Sequence, residues 1–421
     1  MSKPYAIFGA GLSGQAARRL AHSQGIETVL IDEAGQGDRS HFEAADLADF
    51  GALIFSPGFA QDHPWRVLAA ESDVACWSEM AFAARYWQGA MIAVTGTNGK
   101  STLTALLDTA LRLGGYDSVA AGNIGYPLSD AALSASNRPG SYAVLEISSF
   151  QAELVEGMQL DALVWTNFAE DHLDRYANIS DYFDAKANLF DCLKPGAACV
   201  VGAQVADWME RMQRPFEAST IAIEDATLVL QLASDSVFHC FPSSENFSLA
   251  AELWWWLEMP TSQLIAAANT FKLAPHRLSV VCEREGVRFW DDSKATNFHA
   301  TLAALEAVPS PIVWIGGGRA KGGDVDAFCQ DVALSVEAAV VYGEVAERLA
   351  AGLQASLGSV HVHSRFEDAV VAAAELASRI PRANVVLSPG FSSFDQYTSY
   401  AERGKSFIDT VLSLKRARKP S

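Results

Sequence analysis

The stretch Ala93–Thr102 reads AVTGTNGKST, and the spacing of its glycines decides how the rest of the chain is read. The apolar run AMIAVTG (Ala90–Gly96) before it has the pattern of a buried strand. The run STLTALLDTALRLGG (Ser101–Gly115) after it has that of a helix closed by Gly114 and Gly115. A strand, a glycine turn and a helix aim backbone N–H groups and the positive end of a helix dipole at one point, which suits phosphate. The usual phosphate loop runs G-x-x-x-x-G-K-[ST]. Here the first glycine position holds Val94, and the glycine pair is Gly96 and Gly99. The loop is compressed, yet Lys100 still supplies a mobile charge for β- and γ-phosphates, and Ser101 a hydroxyl for Mg²⁺. Gly96, Thr97, Asn98, Gly99, Lys100, Ser101 and Thr102 are expected to hold ATP or something close to it.

A second glycine loop, FGAGLSG (Phe8–Gly14), follows the strand pattern YAIFGA and opens the helix pattern SGQAARRLAHSQG. Asp32 ends the next strand, ETVLIDE, which completes the context of a dinucleotide fingerprint. Taken alone, this loop fits nicotinamide or flavin binding, and it fits equally a tight βα turn that only glycine can make.

Strand and helix alternate from end to end, which implies parallel sheets with helices on their faces. ALIFSPG (Ala52–Gly58) closes a first series. A fresh one starts after RYWQG (Arg85–Gly89) and includes YAVLEIS (Tyr142–Ser148), ALVWTN (Ala162–Asn167) and AACVVG (Ala197–Gly202). After FKLAPHR (Phe271–Arg277) the rhythm restarts with GVRFWDDS, PIVWIGGG, AAVVYG and NVVLSPG. Three domains are expected, at 1–88, 89–273 and 274–421. The run Ser248–Pro260, with tryptophans at 254, 255 and 256, reads as a core helix whose rings pack.

Composition removes several function classes. Half of the 421 residues are hydrophobic and 19% are charged, so core material is ample. A net charge of −19 opposes nucleic-acid or anionic-membrane binding, and the basic tail KRARKPS (Lys415–Ser421) is too short to reverse that. Six scattered cysteines without a C-x-x-C pair suit reduced thiols. No run nears the roughly 18 apolar residues of a membrane span. The start MSKPYAIFGAG lacks the apolar core of a signal peptide. An acidic, soluble, cytoplasmic protein is expected.

TGTNGKST (Thr95–Thr102) resembles the phosphate loop of the Mur ligases and folylpolyglutamate synthases, in which the shortened spacing is normal. Other segments are similar to the glutamate-adding Mur ligases, in family order: GNIGYP (Gly122–Pro127), LEISSFQ (Leu145–Gln151), TNFAEDHLDRY (Thr166–Tyr176), YFDAKANLF (Tyr182–Phe190), PHR (Pro275–Arg277), DDSKATN (Asp291–Asn297), GGGRAKGGDV (Gly316–Val325) and LSPGFSSFDQY (Leu387–Tyr397).

The resemblance implies an α/β fold of three domains: N-terminal Rossmann-like, central P-loop-type ATPase with a parallel sheet, and C-terminal Rossmann-like. It implies an ATP-dependent acid–amino-acid ligase that adds glutamate, with the D form expected, to UDP-N-acetylmuramoyl-L-alanine in peptidoglycan synthesis. The carboxylate would take the γ-phosphate as an acyl phosphate, and the amine would then displace phosphate. The catalytic set would be Lys100, Glu146, His172 and Lys186. Two Mg²⁺ ions, with Mn²⁺ as substitute, would be held by Ser101, Glu146, His172 and a carbamylated Lys186. Read without the family, Glu146 is an acid that ends an apolar strand and needs a partner; His172 could equally be a surface histidine and Lys186 a solvated helix lysine. Asn246, Arg277, Asp292 and Lys294 would complete the ATP site. Leu12, Ser13, Asn123, Ser148 and His172 would hold the UDP substrate, so the first glycine loop would cradle phosphate without a redox cofactor. Thr296, Lys321, Ser393, Phe394 and Tyr400 would surround the amino acid. A monomer that closes its domains during turnover is implied.

Several positions depart from the family pattern. The asparagine that usually faces adenine is Leu249, an expected Asp is Ala320, and Gly390-Phe391-Ser392 replaces Ala-Cys-Ala. Ala34 stands where a basic residue is common. Three alternatives stay open: another amide ligase of the Mur and folylpolyglutamate type, an L-glutamate-adding variant, and a nucleotide-dependent oxidoreductase using Gly9–Gly14.

Overall fold

The computed structural model describes residues 3–213, 220–221 and 226–414, so the basic tail lies outside the described residues. Contacts divide the chain into two units. One comprises Met1–Phe168, Ser180–His239 and Ser243–Phe271; the other comprises Ala169–Ile179, Cys240–Pro242 and Lys272–Ser421.

The first unit holds two parallel sheets. β1 (Tyr5–Phe8), β2 (Thr28–Ile31), β3 (Ala52–Phe55) and β4 (Ala75–Ser78) are ordered β2-β1-β3-β4. Phe8 and Phe55 stack at 4.1 Å, and Phe42 and Trp65 complete that core. The first glycine loop has a packing reason: any side chain on Gly14 would strike the Gly9 carbonyl, so glycine lets helix Leu12–Ser23 sit hard against the strand end.

The other sheet comprises β5 (Ala90–Thr95), β6 (Ser118–Gly122), β7 (Tyr142–Glu146), β8 (Leu160–Trp165), β9 (Leu193–Val201) and β10 (Thr220–Ile221), ordered β10-β9-β8-β5-β7-β6. β5 lies between β7 and β8, so the strand order reverses beside its carboxyl end, where open α/β sheets bind ligands. Helix Lys100–Leu113 buries Leu103, Leu106, Leu107 and Leu111 against this sheet, together with helices Ser243–Trp256 and Thr261–Thr270. The tryptophan run packs only in part. Trp254 is fully buried, but Trp255 is 67% exposed, because successive helix residues turn through about 100° and cannot share a face. The two sheets of this unit are joined by buried polar contacts. Arg66, lying over the Phe55 ring, reaches Glu153 at 3.3 Å, and Glu79 Oε1 accepts the Ser129 N–H at 2.7 Å.

The second unit is a sheet ordered β11-β12-β16-β13-β14-β15, from β11 (Ser279–Arg284), β12 (Val287–Asp291), β13 (Ile312–Gly317), β14 (Ala338–Tyr342), β15 (Val360–His363) and β16 (Asn384–Gly390). β11 runs antiparallel to β12, and the other pairs are parallel. One apolar cluster centres on Trp314, Phe328 and Leu349 and another on Ile315, Phe366 and Phe407, as expected where helices cover both faces. Its strand order reverses at β13, beside Gly317 and Gly390. Among the described residues no helix is long and apolar enough to cross a membrane.

Candidate active site

The compressed loop is shaped by neighbours that leave no room for side chains. Gly96 has φ +142° and Gly99 φ +82°. A Cβ on Gly96 would strike the Thr166 hydroxyl, and one on Gly99 the Asn246 amide. The tip is pinned from β8: the Asn98 N–H donates to Asn167 Oδ1 at 2.8 Å, and Thr166 Oγ1 donates to the Asn98 carbonyl at 2.6 Å. Thr102 is buried one turn into the helix that Lys100 and Ser101 begin. Two ammonium groups meet at one carbonyl. Lys100 Nζ donates to the Gly96 and Thr97 oxygens, both at 2.8 Å, and Lys186 Nζ donates to the Gly96 oxygen at 2.8 Å. Lys186 is 1% exposed and lies 4.9 Å from the Tyr182 ring, so it is not a solvated helix lysine. Tyr182 in turn places its hydroxyl 3.2 Å from Thr97 Oγ1.

Glu146 closes β7, in register with Val94 of β5, and so stands beside the start of the loop. It is 2% exposed. Oε1 accepts Asn123 Nδ2 at 2.9 Å, while Oε2 has no hydrogen-bond partner among the described residues. A buried carboxylate oxygen left without a donor is costly, so a cation suits this position. Ser148, two residues on, caps the short helix Ser149–Ala152. Leu12 and Ser13 line an open pocket with Gly9, Gly11, Ser56 and Phe59. Asp32 Oδ2 accepts the Ala10 N–H at 2.8 Å, and its Oδ1 accepts the Ala34 N–H at 3.0 Å. Its carboxylate therefore braces the loop backbone.

In the second unit Thr296 and Lys321 come together in a cleft with Asn297, Gly322, Phe391 and Asp171. Lys321 Nζ lies 3.3 Å from Thr296 Oγ1 and 3.6 Å from Asp171 Oδ1. Asn297 Nδ2 donates to Asp171 Oδ2 at 3.0 Å. Burial pushes the Asp171 carboxyl up, but Lys321, His172 and the Asn297 amide outweigh it and hold the group below its usual value. Ser393, Phe394 and Tyr400 are not among the lining residues: Ser393 is 2% exposed, Phe394 is 61% exposed, and Tyr400 pairs with Lys294. The Lys294 ammonium donates to the Tyr400 hydroxyl at 3.1 Å and lies 4.5 Å from the ring centre. His172 also belongs to this unit, with a left-handed φ of 57° and its N–H on Asp171 Oδ1.

Asp171 and Arg403 carry weight here that the sequence reading missed. Asp171 was hidden beside His172 in EDHLDRY, although an acid adjoining a candidate ligand is itself a signal. Arg403 is fully buried and donates to the Ser293 hydroxyl and carbonyl, the Phe391 carbonyl and the Tyr342 hydroxyl, tying the loops after β12 and β16. Its residue type argued for the surface, although on helix Tyr400–Ser413 it shares a face with Phe407 and Val411, four and eight residues on, and that periodicity was the available signal.

Asp292 is buried as well. Its Oδ2 accepts from Ser388 Oγ at 2.9 Å and its Oδ1 from the Leu278 N–H at 3.0 Å, with Arg277 contributing positive potential. Burial dominates and raises this carboxyl to about 7. A raised carboxyl favours folding most below the ordinary carboxylate range, and that contribution is lost as pH climbs through about 7. Asp292→Asn stays neutral, so at pH 8 it should be more stable than the parent by about 4 kcal/mol, each tenfold difference in proton affinity being worth about 1.4 kcal/mol. At pH 4 the two should coincide. Denaturant titrations at both pH values check this; an equal gain at both would rule out titration as its cause.

A glycine loop holding two lysines over a parallel sheet, with a buried acid beside it, defines a phosphate-loop, nucleotide-dependent enzyme. The Mur ligase middle domain matches residues 94–253, and the Mur ligase glutamate ligase domain matches residues 276–390. The chain belongs to the Mur ligases, a family of ATP-dependent amide ligases. The UDP-N-acetylmuramoylalanine–D-glutamate ligase of Trichlorobacter lovleyi is 32% identical over 98% of this chain and 99% of its own. That of Gloeobacter violaceus is 32% identical over 97% and 99%. In fold the chain is similar to the UDP-N-acetylmuramate–alanine ligase of Thermotoga maritima, with TM-score 0.56, 15% identity and coverage of 98% and 99%. It is similar also to the folylpolyglutamate synthase of Mycobacterium tuberculosis, solved with ADP and AMPPCP, with TM-score 0.53, 16% identity and coverage of 81% and 93%.

Proposed function

We propose that this ligase joins D-glutamate to UDP-N-acetylmuramoyl-L-alanine, at the expense of ATP, in the cytoplasm and as a monomer. The observation that carries the reading is the pair Lys321 and Asp171 in one cleft, at 3.6 Å. A cation beside an anion is complementary to the carboxylate and ammonium of an α-amino acid. Lys321 and Thr296 would take a carboxylate, and Asp171 the ammonium. A carboxylate receiving that ammonium also orients the nitrogen for attack once it loses its proton. Ser393, Phe394 and Tyr400 remain the resemblance's assignment for the rest of the amino acid.

Residues 1–88 would hold the UDP portion through Leu12 and Ser13, and 89–273 the triphosphate and, through Asn123 and Ser148, the muramoyl-alanine end. Residues 274–421 would supply the amino-acid groups, with Arg277, Asp292 and Lys294 toward ATP. Ser101 and the orphaned oxygen of Glu146 fit Mg²⁺, with Lys186 and His172 added by the resemblance; bound there, the metal would supply charge neutralisation between carboxylate and triphosphate. Lys100, donating to the Gly96 carbonyl, brings a positive charge to where the γ-phosphoryl group would be attacked, and Lys186, which reaches the same carbonyl as an ammonium, would give up that charge if carbamylated as the resemblance implies.

Isotope transfer tests the acyl-phosphate route. With ¹⁸O in the alanyl carboxylate, one label should appear in the inorganic phosphate for each bond formed; unlabelled phosphate would rule the route out. Asp171→Asn tests the cleft. Glutamate should bind at least about tenfold more weakly, while glutarate, which lacks the ammonium, should bind as before. Equal losses for both would remove Asp171 from amine recognition.

A further inference from the structure

One guanidinium of the first unit touches both regions that the proposed function assigns to a single substrate. Arg66, on helix Pro64–Ala70, donates from Nη1 to the Phe59 carbonyl and to Glu153 Oε2, each at 3.3 Å. Phe59 is a wall of the open pocket that contains Leu12 and Ser13. Glu153 follows the short helix Ser149–Ala152, which Ser148 caps, and Glu146 stands two residues before Ser148. We propose that Arg66 and Glu153 are positioning residues of the ligase: their contact fixes the separation between the uridine pocket and the Glu146–Ser148 segment, so that one substrate engages both. The proposal rests on the reading that these two regions hold opposite ends of UDP-N-acetylmuramoyl-L-alanine.

Both side chains are buried, and the guanidinium lies 5.6 Å from the Phe55 ring centre. A buried ion pair adds little net stability over apolar residues of equal volume; what it imposes is geometry, since each partner must stay within reach of the other. Other contacts already hold the two sheets together here. The Ser78 N–H, at the end of β4, donates to the Leu154 carbonyl at 3.0 Å, and Leu154 packs on the cluster of Phe8, Phe55 and Trp65. Arg66 adds a tie of another kind, from the pocket wall to the far end of the Ser148 helix. The near end of that helix is cross-bonded: the Gln151 N–H donates to the Ser148 hydroxyl at 3.3 Å, and the Ser148 N–H to Gln151 Oε1 at 3.0 Å. A displacement at Glu153 is thereby carried to Ser148. For a ligand held at both ends, the second contact forms at an effective concentration set by how well the separation is fixed. A ligand held at one end gains nothing from that tie.

Calorimetry of the full-length protein compares UDP, which reaches the first pocket alone, with UDP-N-acetylmuramoyl-L-alanine, which reaches both regions. Arg66→Met keeps an unbranched side chain beside Phe55 and removes the donor. It should weaken the full substrate by about tenfold and UDP by no more than about twofold. The pocket wall stays in place, because Phe59 keeps its N–H on the Ser56 carbonyl at 3.3 Å and its stack on Trp65 at 5.7 Å. Glu153→Gln keeps the shape and removes the charge; it should weaken the full substrate by about fivefold, again with UDP within about twofold. It carries the test if Arg66→Met does not fold. Mg²⁺-ATP should bind both variants as it binds the parent, which general damage to the unit would prevent. Unchanged affinity for the full substrate in a folded variant, or equal losses for UDP and the full substrate, would overturn the proposal. So would a parallel loss of ATP affinity. A parent protein that binds ATP but neither UDP nor its muramoyl-alanyl derivative would overturn the substrate reading itself, and the proposal with it.

Discussion

Lys100→Ala should lower turnover by about a hundredfold to a thousandfold while leaving the affinity for the UDP substrate unchanged. Lys100 Nζ sits on the Gly96 and Thr97 carbonyls of the phosphate loop, so its charge acts on the triphosphate. The groups expected at the UDP portion, Leu12 and Ser13, begin the helix that follows β1 and so lie beside a different sheet of the same unit. Loss of one donor to a developing charge reduces rate, whereas the uridine contacts stay in place. Steady-state kinetics and calorimetry with the UDP substrate separate the two effects. Equal loss in both would show that the loop and the first glycine turn do not act separately.

Lys186→Ala should also cut turnover by about a hundredfold, and it should raise the Mg²⁺ concentration needed for half-maximal rate. Lys186 is buried against Tyr182, and its ammonium reaches the same Gly96 carbonyl as Lys100. A buried charge so placed needs a strong reason to be there, since desolvation opposes it. As a carbamate it would bring oxygen ligands to the metal; as an ammonium it would act on the phosphates directly. Lys186→Met keeps the volume and removes the charge, so it separates packing from chemistry. Normal turnover with an unchanged Mg²⁺ dependence in Lys186→Met would exclude Lys186 from the reaction.

How much was legible in the sequence depended on whether a signal was local. The loop at Gly96 could be read because strand, glycines, lysine and helix are contiguous, and its backbone angles follow from those glycines. The strand and helix alternation likewise carries the parallel sheets, since each buried run declares itself. Alternation does not say which way an edge strand runs, and β11 pairs antiparallel with β12 through the two-residue turn at Glu285 and Gly286. Burial of single polar side chains was harder. Lys186, Asp171 and Arg403 are charged types that argue for the surface, because the partners that keep them buried lie far along the chain at Gly96, Lys321 and Phe391. The tryptophan run misled for the opposite reason: hydrophobicity was read without the turn of the helix, which carries Trp255 outward.

The ligase assignment is tested most directly by the stoichiometry of a single reaction. Protein, ATP, Mg²⁺ and UDP-N-acetylmuramoyl-L-alanine are mixed with D-glutamate or L-glutamate, and ADP, phosphate and the UDP product are measured together by chromatography and mass spectrometry. A D-glutamate-adding ligase yields one ADP, one phosphate and one product heavier by a glutamyl residue per turnover with D-glutamate, and almost none when any component is omitted. Phosphate release that ignores the amino acid, or a product formed from L-glutamate alone, would contradict it.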